Sequence, residues 1–341
     1  MTMDTQGLDL SKVEHVIDDL DNTLCPYPDG FADSFSVETA LSAQEMARDL
    51  FGTGVDDKQL LRLIETSPSE LAEEAKRSYA DSGFTTTYFN REFGLNEVAL
   101  YQHHHRSIVE KRIKTEFQRY ASHGLRQSLI VLNNTGVQQH VFTNGTEEYA
   151  KAKLDALGIK DCYNSVVGID SFNDFDPPKV GKVILLQKAV PQAWHDFLTV
   201  SQIPSHVTKL TQAEVDDKQE QTYGYVLGKT ERPKTLKDWD YSHCVFFDDS
   251  IENLKTAKRF GMQTVLVKTD RVTPTTKDMQ DIDAVTDHDG LAVFKCMIAH
   301  EIGQIKDQKE ARARQEIAKR KGEKADVVDV VKPALRLVHS G

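Results

Sequence analysis

The sequence has little cysteine: of its 341 residues only Cys25, Cys162, Cys244 and Cys296 are cysteines, far apart and with no CxxC spacing. That gives no basis for a disulfide framework or a cysteine metal site, and it fits reduced thiols within a cell. Long hydrophobic runs are missing too, since no window approaches the roughly 18 consecutive apolar residues of a membrane span. The stretch Met1 to Lys12 is polar with two acidic residues and lacks the apolar segment of a signal peptide. No membrane contact is expected, and the expected location is the cytoplasm with the nucleus left open. A basic excess is also absent. Lys and Arg number 42 against 53 Asp and Glu, a net charge of −11, which disfavours nonspecific binding to nucleic acid or anionic membrane. There is no internal repeat, and the length allows one large domain or two.

What is present is concentrated in a few strand ends. Val13 to Ile17 is a short apolar run that predicts a buried strand, and Asp19-Leu20-Asp21-Asn22-Thr23-Leu24 follows it directly. Asp19 and Asp21 then lie just past a carboxyl end, where open α/β sheets bind their ligands. Two carboxylates that close repel each other and are costly to bury unpaired, so a cation or a shared proton is needed. Mg2+ fits best, as a hard ion that takes carboxylate oxygen and keeps waters for a phosphate. A polar exit from a strand would also place acids here. The run Cys244-Val245-Phe246-Phe247 has the same form and ends in Asp248-Asp249-Ser250 before a helix carrying Leu254, Ala257 and Phe260. A capped turn explains Ser250 and Asn253 but not why the strand ends in two acids.

Between these ends the chain alternates apolar strands with helices. Pro26 and Gly30 break regular structure and mark a hinge, after which residues 36–51, 56–64, 70–82 and a helix capped by Asn96 and running to about Thr115 read as a helical insertion. Leu125 to Leu132 predicts a helix, and His140-Val141-Phe142 a strand that leads into Thr143-Asn144-Gly145 and a helix over Glu147 to Leu157. Thr143 and the Asn144 backbone can donate hydrogen bonds to a phosphate beside that helix's amino terminus, although an ordinary cap would look the same. Val166 to Ile169 reads as a strand, Lys179 precedes a helix with Val183, Ile184, Leu186 and Val190, and about 200–240 is a polar insertion. Thr264 to Val267 and Ala284-Val285 complete the strands, with the core closing near Ile298. From Glu301 to Lys324 a charge-rich helix is expected. It is usually solvated in such cases, with nucleic-acid or protein contact as the minority reading.

The strings DLDNTL, TNG and DDSIEN resemble the motifs of the haloacid dehalogenase-like hydrolase superfamily, over roughly residues 13–295. The resemblance implies an α/β fold: a Rossmann-like parallel sheet in segments 1–26 and 116–300, an α-helical cap inserted at 27–115, and a charged tail at 301–341. It implies Asp19 as nucleophile, Asp21 as acid and base, and Lys179 as the cation of the third motif, with Lys182, Lys229 and Lys234 as competitors. Mg2+ would be held by Asp19, Asp21 through its carbonyl, Asp249, and Asp248 directly or through water. Thr143, Asn144 and Lys179 would cradle the phosphate. The expected activity is a Mg2+-dependent phosphatase acting on a small phosphorylated metabolite, since dehalogenases of the superfamily lack an acid at the position of Asp21. FFDDSIENLKTAKRFGM is most similar to pyrimidine 5′-nucleotidase-like phosphatases, which makes a nucleoside 5′-monophosphate a candidate substrate. A phosphomutase of the same fold, or a non-catalytic phosphate-binding scaffold using its basic tail, are the alternatives. Tyr101 and His103-His104-His105 are candidate substrate contacts in the cap, with an exposed histidine run the plainer expectation.

Overall fold

A computed structural model describes residues 7–28, 30–53, 56–82, 85–171, 188, 191–203, 240–270 and 273–320. Its strands are β1 (His15–Asp18), β2 (Gln138–Phe142), β3 (Ser165–Val167), β4 (Cys244–Asp248), β5 (Gln263–Lys268) and β6 (Ala284–Asp287). They form one sheet in the order β3-β2-β1-β4-β5-β6, and every pairing is parallel. A parallel sheet needs both faces covered, which is why β1 and β4 are buried along their whole length and apolar at their centres, Val16-Ile17 and Val245 to Phe247. The chain builds outward from β1 to β3, then returns to the other side of β1 with β4. The crevice for a ligand in such a sheet lies where the strand order reverses, beyond the carboxyl ends of β1 and β4.

After β1 the chain first makes the helices α1 (Phe31–Leu50), α2 (Asp57–Glu65), α3 (Pro68–Ser82), α4 (Thr86–Phe93) and α5 (Glu97–Ile108). A π-helical stretch, Val109–Ile113, carries α5 into α6 (Lys114–Phe117). The predicted Asn96 cap forms, with its side chain accepting from the backbone N–H groups of Val98 and Ala99. These helices have an apolar cluster of their own, including Ala43, Ala47, Leu60, Leu63, Phe89, Phe93 and Leu100. The short α4 has no counterpart in the sequence reading. Its threonines and aromatics are weak helix formers, and it is held by burying Phe89 and Phe93.

One face of the sheet is covered by α6, α7 (His123–Asn134), α8 (Glu147–Leu157) and α11 (Leu291–Arg320), whose Phe117, Leu129, Leu154 and Phe294 pack with Val16, Val141 and Phe247. The other is covered by α9 (Pro191–Val200) and α10 (Ile251–Arg259), through Trp194, Phe197 and Leu254 against Ile17, Phe142 and Phe246. Each such side chain contributes roughly 1.5–3 kcal/mol on burial.

Two expectations change. Ile169 leaves the third strand and lies in a 3-10 turn, Ile169–Ser171. There is also no break between core and tail, because α11 is continuous and its buried positions Leu291, Phe294, Ile298 and Ile302 keep one helical spacing across Glu301. Beyond that stripe Lys306 and Lys309 still donate to the carbonyls of Thr135 and Ser11. The helix expected after Lys179, Lys179 itself, and most of the 200–240 segment lie outside the described residues. No described helix is long and apolar enough to cross a membrane.

Candidate active site

β1 delivers Asp19 to the crevice. Its backbone N–H donates to the Phe247 carbonyl of β4 at 2.8 Å, so the position of this carboxylate is tied to the strand that carries Asp248 and Asp249. The turn that follows is tight: Leu24 N–H donates to the Leu20 carbonyl at 3.1 Å and Asn22 N–H to the Cys25 carbonyl at 2.9 Å. Asn22 sits at φ 59°, a left-handed conformation that asparagine tolerates better than most residues. That reversal brings Asp21 back beside Asp19. Thr23, fully buried, donates its hydroxyl to Asp19 Oδ2 at 2.9 Å.

Lys188 is the residue that sequence reasoning missed. Its Nζ lies 2.5 Å from Asp19 Oδ1 and 2.7 Å from Asp248 Oδ2, with the lysine side chain 2% exposed. The lysine is itself anchored: its N–H donates to Asn144 Oδ1 at 3.0 Å and its carbonyl accepts the Trp194 indole N–H at 2.8 Å. The signal that could have found it is the one applied to Lys179, a lysine just before a core helix. Applied to α9, which opens at Pro191 as prolines favour, the rule selects Lys188.

Asp19, Asp248 and Asp249 each place a carboxylate oxygen within 4.8 Å of the others. Burial pushes the Asp19 pKa up to about 7, with Lys188 opposing and Asp248 and Asp21 adding to the rise. Burial likewise drives Asp249 up to about 8, helped by repulsion from Asp248 and Asp19. Burial alone would lower the Lys188 pKa, but attraction to Asp19 and Asp248 holds it above its ordinary value. The two adjacent acids differ in occupation. Asp248 accepts from Ser250 N–H at 2.7 Å and from the Asn253 amide at 3.1 and 3.2 Å besides Lys188, while no hydrogen bond to the Asp249 carboxylate occurs among the described residues. A single buried ammonium does not neutralise three carboxylates, and the donor set is all oxygen. The residues present therefore fit a hard divalent cation such as Mg2+, with Asp249 as the carboxylate most open to direct ligation.

Asp21 has separate support. Its Oδ1 accepts from Lys153 Nζ at 2.6 Å and from the Tyr149 hydroxyl at 2.9 Å, both on α8, and Lys153 is fully buried over the Phe117 ring. Among the described residues both bonds fall on Oδ1. The second predicted strand end is also in place. Thr143 Oγ1 accepts from Gly145 N–H at 2.9 Å, which leaves the Thr143 O–H to donate elsewhere. Gly145 is required there, because a Cβ would meet the Tyr149 ring at 2.9 Å.

The histidine run departs from the exposed expectation. His104 and His105 are buried and only His103 is half-exposed. Burial drives the His105 pKa down to about 3, so its ring is neutral. It packs between the Tyr101 and Tyr149 rings, with centroids at 4.1 and 4.6 Å and the planes tilted. Tyr101 donates its hydroxyl to the Asn144 carbonyl at 2.8 Å, which joins α5 to the turn after β2.

No family model matches the chain, and no curated protein matches it in sequence. Solved structures similar to it include a β-phosphoglucomutase from Clostridium difficile, at 12% identity and a TM-score of 0.40 over 85% of this chain and 98% of that one. An L-2-haloacid dehalogenase from Xanthobacter autotrophicus is similar at 11% identity and 0.36, over 82% and 97% of the two chains. The CbbY protein of Rhodobacter sphaeroides, in complex with phosphate, is similar at 12% identity and 0.39, over 77% and 89%. The chemistry of the site rests on this chain's own side chains.

Proposed function

We propose that this chain is a Mg2+-dependent phosphatase of the haloacid dehalogenase-like superfamily that hydrolyses a small phosphomonoester through an aspartyl phosphate on Asp19. The observation that carries the proposal is the convergence, at the point where strand order reverses, of Asp19, Lys188, Asp248 and Asp249, with Asp21 held separately by Lys153 and Tyr149. An electrophile with spread negative charge is what such a mixed acid and ammonium site accommodates.

In the first step an Asp19 carboxylate oxygen forms a bond to phosphorus in line with the leaving oxygen, whose bond to phosphorus breaks. Asp21 gives its proton to the departing alkoxide. In the second step water attacks the same phosphorus, Asp21 takes the water proton, and the bond to Asp19 breaks to restore the free carboxylate. Lys188 holds Asp19 in place and presents positive charge to the phosphoryl oxygens, with the Thr143 hydroxyl and the Asn144 backbone completing the cradle. Asp19, Asp249, the Asp21 carbonyl, and Asp248 directly or through water would hold Mg2+, which supplies charge neutralisation of the transferring group.

The helices α1 to α5 serve as the cap that selects the substrate, and the Tyr101 to Asn144 contact supports this role because it reaches the phosphate-binding turn. The finer assignment, to pyrimidine 5′-nucleotidase-like enzymes acting on nucleoside 5′-monophosphates, rests on the DLDNTL, TNG and FFDDSIENLKTAKRFGM strings. The test is phosphate release from a panel of nucleoside monophosphates and sugar phosphates, with Mg2+ and with a chelator. Release should require Mg2+ and favour nucleotides. Chelator-resistant release would overturn the metal dependence, and transfer of phosphate to substrate rather than water would identify a mutase.

A further inference from the structure

The opposite end of the sheet carries a second group of metal-binding side chains. His15 opens β1, His243 immediately precedes β4, and Glu14 precedes His15. One ligand atom from each lies within 4.8 Å of the others, with both histidines buried and Glu14 exposed. This margin is four residues of strand from Asp19, roughly 13 Å by the rise of a β-strand. It takes no part in the chemistry above.

We propose that Glu14, His15 and His243 form a second metal site, suited to a borderline transition ion of the zinc class. The donor set of two imidazole nitrogens and one carboxylate oxygen is that of a zinc ion with one open position, and differs from the all-oxygen set around Asp19. The backbone already holds the ligands together: the N–H groups of Glu14 and His15 both donate to the His243 carbonyl, at 2.9 and 3.2 Å. The site therefore needs side-chain adjustment only, without movement of the strands.

A hydrogen-bond chain orients the His15 ring. His15 Nδ1 lies 3.1 Å from His140 Nε2, and His140 Nδ1 lies 2.8 Å from Ser165 Oγ. With His140 donating from Nδ1 to Ser165, its Nε2 accepts the proton of His15 Nδ1. Nε2 of His15 then carries the lone pair that binds a metal. This is the arrangement in which an outer acceptor fixes the tautomer of a ligating imidazole. Glu14, at the surface, provides the path by which an ion enters. An ion here would bind the segment before β1 to the segment before β4, across the junction that also positions the active site.

The test uses the full chain, stripped of metal and then held in excess Mg2+ to occupy the Asp19 cluster. Zn2+ uptake is measured by competition with a chromophoric chelator, and Co2+ is used as a spectroscopic probe of the ligands. The expected result is about one equivalent of Zn2+ that survives Asp249→Asn. His15→Gln and His243→Asn should weaken it by about 100-fold or more, the upper end of what losing even an outer hydrogen-bond partner costs. His140→Gln should weaken it by roughly 10- to 100-fold, and the spectrum of Co2+ bound to His15→Gln should show one imidazole ligand fewer than that of the parent chain. Unchanged Zn2+ affinity in the histidine variants, or loss of the equivalent in Asp249→Asn alone, overturns the site. Should the buried histidine variants fail to fold, Glu14→Ala at the exposed position decides: weaker binding supports the site and unchanged affinity overturns it.

Discussion

Replacing Lys188 by methionine preserves most of the stem's packing and removes the positive charge that bridges Asp19 and Asp248. With the ammonium gone, carboxylate oxygens within 4.8 Å of one another face each other directly. At an effective dielectric near 20, a pair of unit charges at that distance repels by about 3.5 kcal/mol. Breaking a buried ion pair by deleting one partner typically costs about 3–5 kcal/mol, which agrees in size. Lys188→Met should therefore lose about 3–5 kcal/mol of stability at pH 8 without Mg2+. The loss should be smaller at pH 5, where protonation of Asp19 and Asp249 relieves the repulsion. Turnover of a small phosphate ester should fall by roughly 10²- to 10³-fold, the scale for loss of one positioned electrostatic donor. Urea denaturation at both pH values gives the first quantity and initial rates with Mg2+ give the second. Lys179→Met is the control. If Lys188→Met keeps its stability at pH 8 and its rate while Lys179→Met is inactive, the placement of the site's cation is wrong.

Three further outcomes follow from the same geometry. In the metal-free protein Asp19 and Asp249 keep protons to about pH 7 and 8 that an unfolded chain releases near 3.8, so stability should fall as pH rises from about 4 to 8; Mg2+ at 100 times its dissociation constant should restore about 2.7 kcal/mol at pH 8 and less at pH 5, read by thermal melts. Lys295 on α11 donates to both oxygens of Asp18 at 2.7 and 3.0 Å with both groups fully buried, and the Tyr163 hydroxyl adds a third bond at 3.0 Å, so Lys295→Met should cost about 3–5 kcal/mol in urea unfolding. Ending the chain at Glu310 removes exposed helix beyond the Lys306 and Lys309 contacts and should leave both the melting temperature and the rate on a small ester unchanged; a large loss of rate in a folded protein would mean that the tail serves the site.

Much of this architecture is legible in the sequence because parallel strands are short apolar runs and their ends carry the chemistry. Asp19, Thr143 and Asp249 could each be placed from a strand-to-turn boundary. Asn96 begins a helix by a local side-chain bond to the backbone, which a sequence displays directly. Lys188 was missed because its role depends on Asp19, 169 positions away, and on Trp194, whose indole fixes its carbonyl. Lys153 is one of two lysines on α8, two positions from Lys151, and only folding shows it fully buried on Asp21. His104 and His105 misled for the opposite reason: a histidine run looks polar, yet α5 turns these two rings toward the aromatic side chains of Phe35 and Tyr149. The supposed boundary near Ile298 followed a change in charge density, whereas the buried stripe of α11 runs through it.

The central claim is that phosphate is transferred to Asp19. Its most direct test is to mix the chain with Mg2+ and a reactive phosphomonoester, quench in acid within the first turnover, and map the phosphorylated residue by mass spectrometry. A single acid-stable, base-labile phosphate is expected on Asp19 and none in Asp19→Asn, which should not turn over. Phosphate on another residue, or full turnover by Asp19→Asn, would contradict it.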